Sequence, residues 1–109
     1  MKKDPKFFLE HILESIKFIQ KYLQDLDFED FLNNQEVQDA VLRRFEIIGE
    51  AVKNLPEKFK LQYRDIPWKK IAGMRDVLIH EYFGVDLLQI WNTVQKDLDD
   101  LEKRLKKMI

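Results

Sequence analysis

The stretch DLLQIWNTVQKDLDDLEKRLKKM, Asp86–Met108, decides the fold. Leu87, Trp91, Val94, Leu98, Leu101, Leu105 and Met108 step by four and three residues alternately, which is the apolar seam of a helix packed lengthwise on its neighbours. Asp86 stands where an N-cap belongs. The charges between Lys96 and Lys107 mix signs and read as the solvated face of that helix.

Working outward, the same periodicity recurs three times. The first helix is expected from about Asp4 to Asp25, with Asp4 as cap and Pro5 at the first helical position. Phe8, Ile12, Ile16, Ile19, Leu23 and Leu26 fall in one narrow band at 3.6 residues per turn. Asp27 to Phe31 reads as a short helical turn. Asn34 caps the second helix, which carries Val37, Val41, Ile48, Val52 and Leu55 on one face and stops at Pro56. Leu55 to Pro67 reads as a connection with one helical turn at Glu57 to Leu61. The third helix starts near Pro67 and Trp68 and reaches His80 or Tyr82, where Gly84 ends it. The expected architecture is all-α: one domain over residues 1–109, an up-and-down four-helix bundle with a short extra helical turn.

Composition narrows the function classes. Three glycines and three prolines in 109 residues are too few for a turn-rich β-sandwich or barrel. The absence of cysteine removes disulfide frameworks, thiolate metal sites and thiol nucleophiles. With 19 Lys+Arg against 20 Asp+Glu the net charge is -1, so no chain-wide basic field exists to attract nucleic acid. Contact with RNA or DNA must come from a local cluster or from an oligomer surface. No apolar run approaches the roughly 18 residues of a membrane span, and MKKDPKFFLE turns acidic before an apolar signal core forms. The expectation is a cytoplasmic protein.

Chemistry concentrates in IPWKKIAGMRDVLIHEYFG, Ile66–Gly84. On a helical wheel Ile71, Met74, Leu78 and Tyr82 share one face, the core side, while Lys69, Gly73, Asp76 and His80 share the other. Asp76 and His80 are four residues apart, so the carboxylate can orient the imidazole and raise its basicity. Ala72 and Gly73 leave little bulk beside that face, and a close approach of another backbone or a ligand would account for a glycine inside a helix. Arginine and histidine together suffice for metal-free cleavage of RNA: the imidazole moves a proton, the guanidinium holds a phosphate, and the 2′-hydroxyl attacks. Arg75 lies roughly 140° from His80 by the helical repeat, so one helix aims the two apart. A two-fold dimer that pools both pairs in one cleft removes the difficulty.

Each residue also has a plainer reading. Arg75 and His80 are what a solvated helix with a surface ion pair would show, and Tyr82 is what a core aromatic with its hydroxyl at the rim would show. Lys69 and Lys70 are candidates for phosphate contacts or ordinary surface lysines. Trp68 reads as a packing anchor, and His11 as structural or solvent-facing. Glu46 and Glu50 flank Gly49 and either position Arg75 or Arg43 or form surface salt bridges.

Arg75, four residues, His80, one residue, Tyr82, within IPWKKIAGMRDVLIHEYFGVD, resembles the signature of the HepT-like toxins of the HEPN superfamily. RRFEIIGEAVKNLP, Arg43–Pro56, is similar to that family's other block, and the final segment matches in character. The resemblance spans essentially the whole chain. It implies a helical bundle that forms a homodimer, with the motifs of two protomers lining a shared cleft. It implies a metal-independent ribonuclease toxin of a type VII-like toxin–antitoxin system, with catalytic roles carried over to Arg75 and His80 and a supporting one to Asp76. Tyr82 matches the tyrosine that the partner, an MntA-type nucleotidyltransferase antitoxin, modifies with AMP. No cofactor is implied for the chain itself, ATP being the antitoxin's AMP donor. A reading of a different class is a non-catalytic helical module that binds a nucleotide or a nucleotidyltransferase through the same residues.

Overall fold

A computed structural model describes residues 4–73 and 86–109. Among the described residues all regular structure is helical. α1 is Pro5–Leu23, α2 Phe28–Leu32, α3 Gln35–Asn54 and α4 Glu57–Gln62. α5 begins at residue 68 and is helical through residue 73. α6, Leu87–Thr93, continues through a π turn, Val94–Leu98, into α7, Asp99–Lys106. Thr93, Val94, Leu98 and Asp99 all hold right-handed helical backbone angles, so the last three segments form one continuous rod.

The expected caps close real helices. Asp4 accepts from the Lys6 amide at 2.9 Å with Pro5 in the first turn, Asn34 from the Val37 amide at 3.1 Å, and Asp86 from the Gln89 amide at 3.1 Å. Each satisfies a donor that the helix itself leaves unpaired. α2 carries a reciprocal pair: Asp30 N–H donates to Asp27 Oδ1 at 2.8 Å and Asp27 N–H to Asp30 Oδ2 at 3.1 Å. α1 is shorter than the apolar band suggested. It ends at Leu23 because Gln24 turns extended and Asp25 adopts φ 65°, a left-handed state that an aspartate tolerates better than most residues.

α1 and α3 form the main layer and run antiparallel. Phe8 and His11 share a surface groove with Glu50 and Asn54, whereas Phe18 near the other end of α1 lies 4.1 Å beneath the guanidinium of Arg44. Ile12, Ile16, Ile19 and Leu23 of α1 meet Val41, Phe45, Ile48 and Val52 of α3 in the buried core. Ser15 is buried as well. α2 is clamped from both sides. Phe28 and Phe31 pack against Trp91, and the buried Gln38 donates to the carbonyls of Phe31 and Leu32 at 2.9 and 3.0 Å.

The π turn modifies the expected seam. Ile90, Val94 and Leu98 are all buried at successive spacings of four, while Leu87 and Trp91 are only partly buried. On a regular α-helix eight residues overshoot two turns by roughly 80°. The wider i→i+5 turn over Val94–Leu98 takes up that excess and keeps Ile90 on the face that Leu101 and Leu105 continue.

Candidate functional site

Arg75, Asp76, His80 and Tyr82 lie outside the described residues, as do Met74, Leu78 and Gly84. The structure does place both flanks of that segment. Upstream, Trp68 is buried and its indole N–H donates to the Tyr63 carbonyl at 3.0 Å, with the Phe59 ring beside it. The Trp68 amide donates to the Ile66 carbonyl at 2.8 Å and the Ile71 amide to the Pro67 carbonyl at 3.1 Å, which starts α5. Trp68 is therefore the anchor it was read to be. Downstream, Asp86 caps α6.

Both flanks border one groove of about 610 Å³. Lys70 and Ile71 stand on its upstream side and Asp86, Leu88 and Gln89 on its downstream side, over a floor that includes Phe45, Ile48 and Leu101. The segment with the Arg-x4-His-x-Tyr spacing thus leaves and rejoins the described fold beside the same concave surface. The rim carries both signs. Arg104 is pinned there by Asp65 Oδ2 and Asp100 Oδ2, each at 3.1 Å, whereas Lys70 and Lys96 make no ion pair among the described residues. No cluster of His, Asp and Glu able to hold a metal occurs among the described residues.

Lys69 and Lys70 are exposed, and the fold brings them together with cations from two other elements. A shallow groove of about 980 Å³ is lined by both of them, by Lys53 at the end of α3, by Lys60 of α4 and by Arg64. Glu57, its one acidic lining residue, pairs with Lys60 at 3.3 Å. Sequence reading missed Lys53, Lys60 and Arg64, because each looks like an isolated surface cation along the chain. No local signal marked their meeting, since the thirteen residues from Leu55 to Pro67 could span about 40 Å if extended.

The other singled-out residues resolve more simply. Arg43 and Glu46 form an exposed ion pair at 3.2 Å, the ordinary helix-surface arrangement. Glu50 accepts from Asn54 Nδ2 at 3.5 Å. His11 is exposed and lies against the Phe7 ring, 4.6 Å between centroids. Gly73 is helical, yet a Cβ built there would meet nothing within 4 Å. The close approach expected at Gly73 is therefore not made among the described residues.

No helix among the described residues is long and apolar enough to cross a membrane. The family described as ribonuclease HepT-like matches residues 12–108. Among curated relatives, a Methanocaldococcus jannaschii protein named as a gamma-glutamylcyclotransferase and candidate RNase is 51% identical over 100% of this chain. The chain spans about half, 49%, of that protein's length. A candidate RNase of Caldanaerobacter subterraneus subsp. tengcongensis is 48% identical over 98% of this chain and 96% of its own. A candidate ribonuclease HepT of Thermococcus cleftensis is 46% identical over 99% of this chain and 98% of its own. No solved structure matches the chain.

Proposed function

The chain belongs to the HepT-like ribonuclease family, and from that premise we propose that it is a metal-independent endoribonuclease toxin that works as a homodimer. The observation that carries the reading is the coincidence of the family match over residues 12–108 with the complete Arg75-x4-His80-x-Tyr82 spacing in the sequence.

The chemistry asks little of the protein. The RNA 2′-oxygen attacks the adjacent phosphorus, the bond to the 5′-oxygen breaks, and a 2′,3′-cyclic phosphate and a 5′-hydroxyl result. His80 of one protomer takes the 2′-hydroxyl proton and the twin imidazole protonates the leaving oxygen. Arg75 holds the phosphate through paired, charge-assisted hydrogen bonds. Asp76, four residues before His80, orients the imidazole. No metal or cofactor enters these steps.

Regulation falls to Tyr82. Its phenolic oxygen displaces pyrophosphate from ATP on an MntA-type nucleotidyltransferase antitoxin, and the resulting phosphodiester places bulk and negative charge two residues from His80. An anionic adduct there repels an RNA backbone.

His80→Ala and Tyr82→Phe test the proposal together. Loss of RNA cleavage and of growth inhibition in His80→Ala, with both retained in the presence of EDTA by the unaltered chain, supports it. Cleavage that survives in His80→Ala returns the chain to the class of non-catalytic binding modules. AMP addition that persists in Tyr82→Phe removes the regulatory assignment alone.

A further inference from the structure

We infer that the groove between the end of α3, α4 and the start of α5 is a binding track for the sugar–phosphate backbone of single-stranded RNA, separate from the cleaving residues. The inference rests on the ribonuclease reading above and adds a second contact surface to it. Lys53, Lys60, Arg64, Lys69 and Lys70 converge there from three stretches of chain, against Glu57 alone. The whole chain has 19 Lys+Arg and 20 Asp+Glu, so taking these five away leaves 14 cations against 20 carboxylates. About a quarter of the chain's positive side chains thus line one groove that holds a single carboxylate.

The cations are available. Lys53, Arg64, Lys69 and Lys70 are exposed and make no ion pair among the described residues, while Lys60 pairs with Glu57 and Arg64 Nε donates to the Leu61 carbonyl at 3.3 Å. Leu61, 58% exposed, adds an apolar surface to the same groove. Phosphate charge with unstacked apolar bases is what a single strand presents. Chain length ties the groove to the proposed clamp: Arg75 is five positions after Lys70, and five residue steps span at most about 18 Å on any backbone path. An RNA of modest length can therefore occupy both.

The test uses the full chain carrying His80→Ala, so that RNA is bound and not cut. The groove variant replaces Lys53, Arg64, Lys69 and Lys70 by Gln; a control of equal net charge replaces Lys17, Lys21, Lys103 and Lys107, which lie elsewhere on the surface. Anisotropy of a fluorescein-labelled oligouridylate is titrated at several KCl concentrations. The groove variant is expected to bind at least tenfold more weakly at moderate salt, and its log K against log salt slope to fall by about 2 to 3, since each lost phosphate contact removes about 0.7. The control is expected to stay within twofold. In chains that retain His80, the groove variant raises KM and leaves kcat within twofold. Equal affinities and slopes in groove and control variants overturn the track while RNA cleavage by the unaltered chain leaves the ribonuclease reading standing. An unaltered chain that neither binds nor cuts RNA sinks both. Unchanged RNA affinity with lost binding of a poly-aspartate peptide overturns the RNA assignment in favour of an acidic protein surface.

Discussion

The indole N–H of Trp68 donates to the carbonyl oxygen of Tyr63 at 3.0 Å, locking the first turn of α5 to the end of the α4 connection. Trp68 is 6% exposed, and Ile66 beside it is buried. α5 therefore starts from a fixed point. Trp68→Ala is expected to lower stability by about 3–5 kcal/mol, as for other large-to-small changes at buried aromatics. Trp68→Phe keeps most of the packing and loses the hydrogen bond, for about 1–2 kcal/mol. Urea unfolding of the two variants checks the ratio; a Trp68→Phe variant as stable as the unaltered chain would mean that the bond to Tyr63 contributes nothing.

Gln38 holds the end of α2 by donating to the carbonyls of Phe31 and Leu32 while only 8% exposed. Replacing it by Met keeps the length of the side chain and removes both donors. The expected cost is about 1–3 kcal/mol from carbonyls left without that partner in a buried site. Denaturant midpoints of Gln38→Met and Gln38→Glu measure it, and an unchanged midpoint in the Met variant contradicts the assignment.

The register set by the π turn distinguishes two residues that the sequence treats alike. Ile90 is 4% exposed and Leu88 51%. Ile90→Ala is expected to destabilise by about 2–5 kcal/mol, and Leu88→Ala by no more than about 0.5 kcal/mol. Comparable losses at the two positions, read by thermal unfolding, would place Ile90 outside the core.

Gly73 offers a stabilising change. It is helical and a Cβ there would meet nothing within 4 Å. Gly73→Ala is expected to raise stability by about 0.5–1 kcal/mol through the lower entropy of the unfolded chain. Calorimetry at concentrations spanning the dimerisation range reads the outcome. A decrease that grows with protein concentration would show that a second subunit seats on this face.

Under the proposed mechanism Arg75 acts through a planar fork and not through charge alone. Arg75→Lys is expected to lose at least tenfold in cleavage and Arg75→Ala substantially more, with helicity by circular dichroism unchanged in both. Full activity in Arg75→Lys would reduce the residue to a nearby positive charge.

Local signals were strong wherever a single turn of chain carries its own instruction. Asp4, Asn34 and Asp86 each accept from an amide two or three residues on, and that geometry depends on nothing distant. The apolar bands of α1 and α3 were legible for the same reason, since Ile12, Ile16 and Ile19 and their partners Val41, Ile48 and Val52 repeat at the helical period. Ile90 escaped that reading because the wide turn after Thr93 changes the period itself. Gln38 escaped it because a polar side chain shows its use only when the carbonyls it donates to, those of Phe31 and Leu32, are placed beside it. The residues proposed for cleavage and its regulation were legible as a spacing, Arg75 to His80 to Tyr82, and lie outside the described residues.

By itself the sequence determined that the chain is helical, where its capped helices start, and which short segment holds the arginine, histidine and tyrosine on which the proposed function rests. These follow from rotations and hydrogen bonds that close within a few residues. Only the tertiary structure decided that Lys53, Lys60, Arg64, Lys69 and Lys70 meet around one groove, and that both flanks of the motif border another. Charges from separate helices add into one field only when packing brings those helices together, and the amino-acid order does not record that distance.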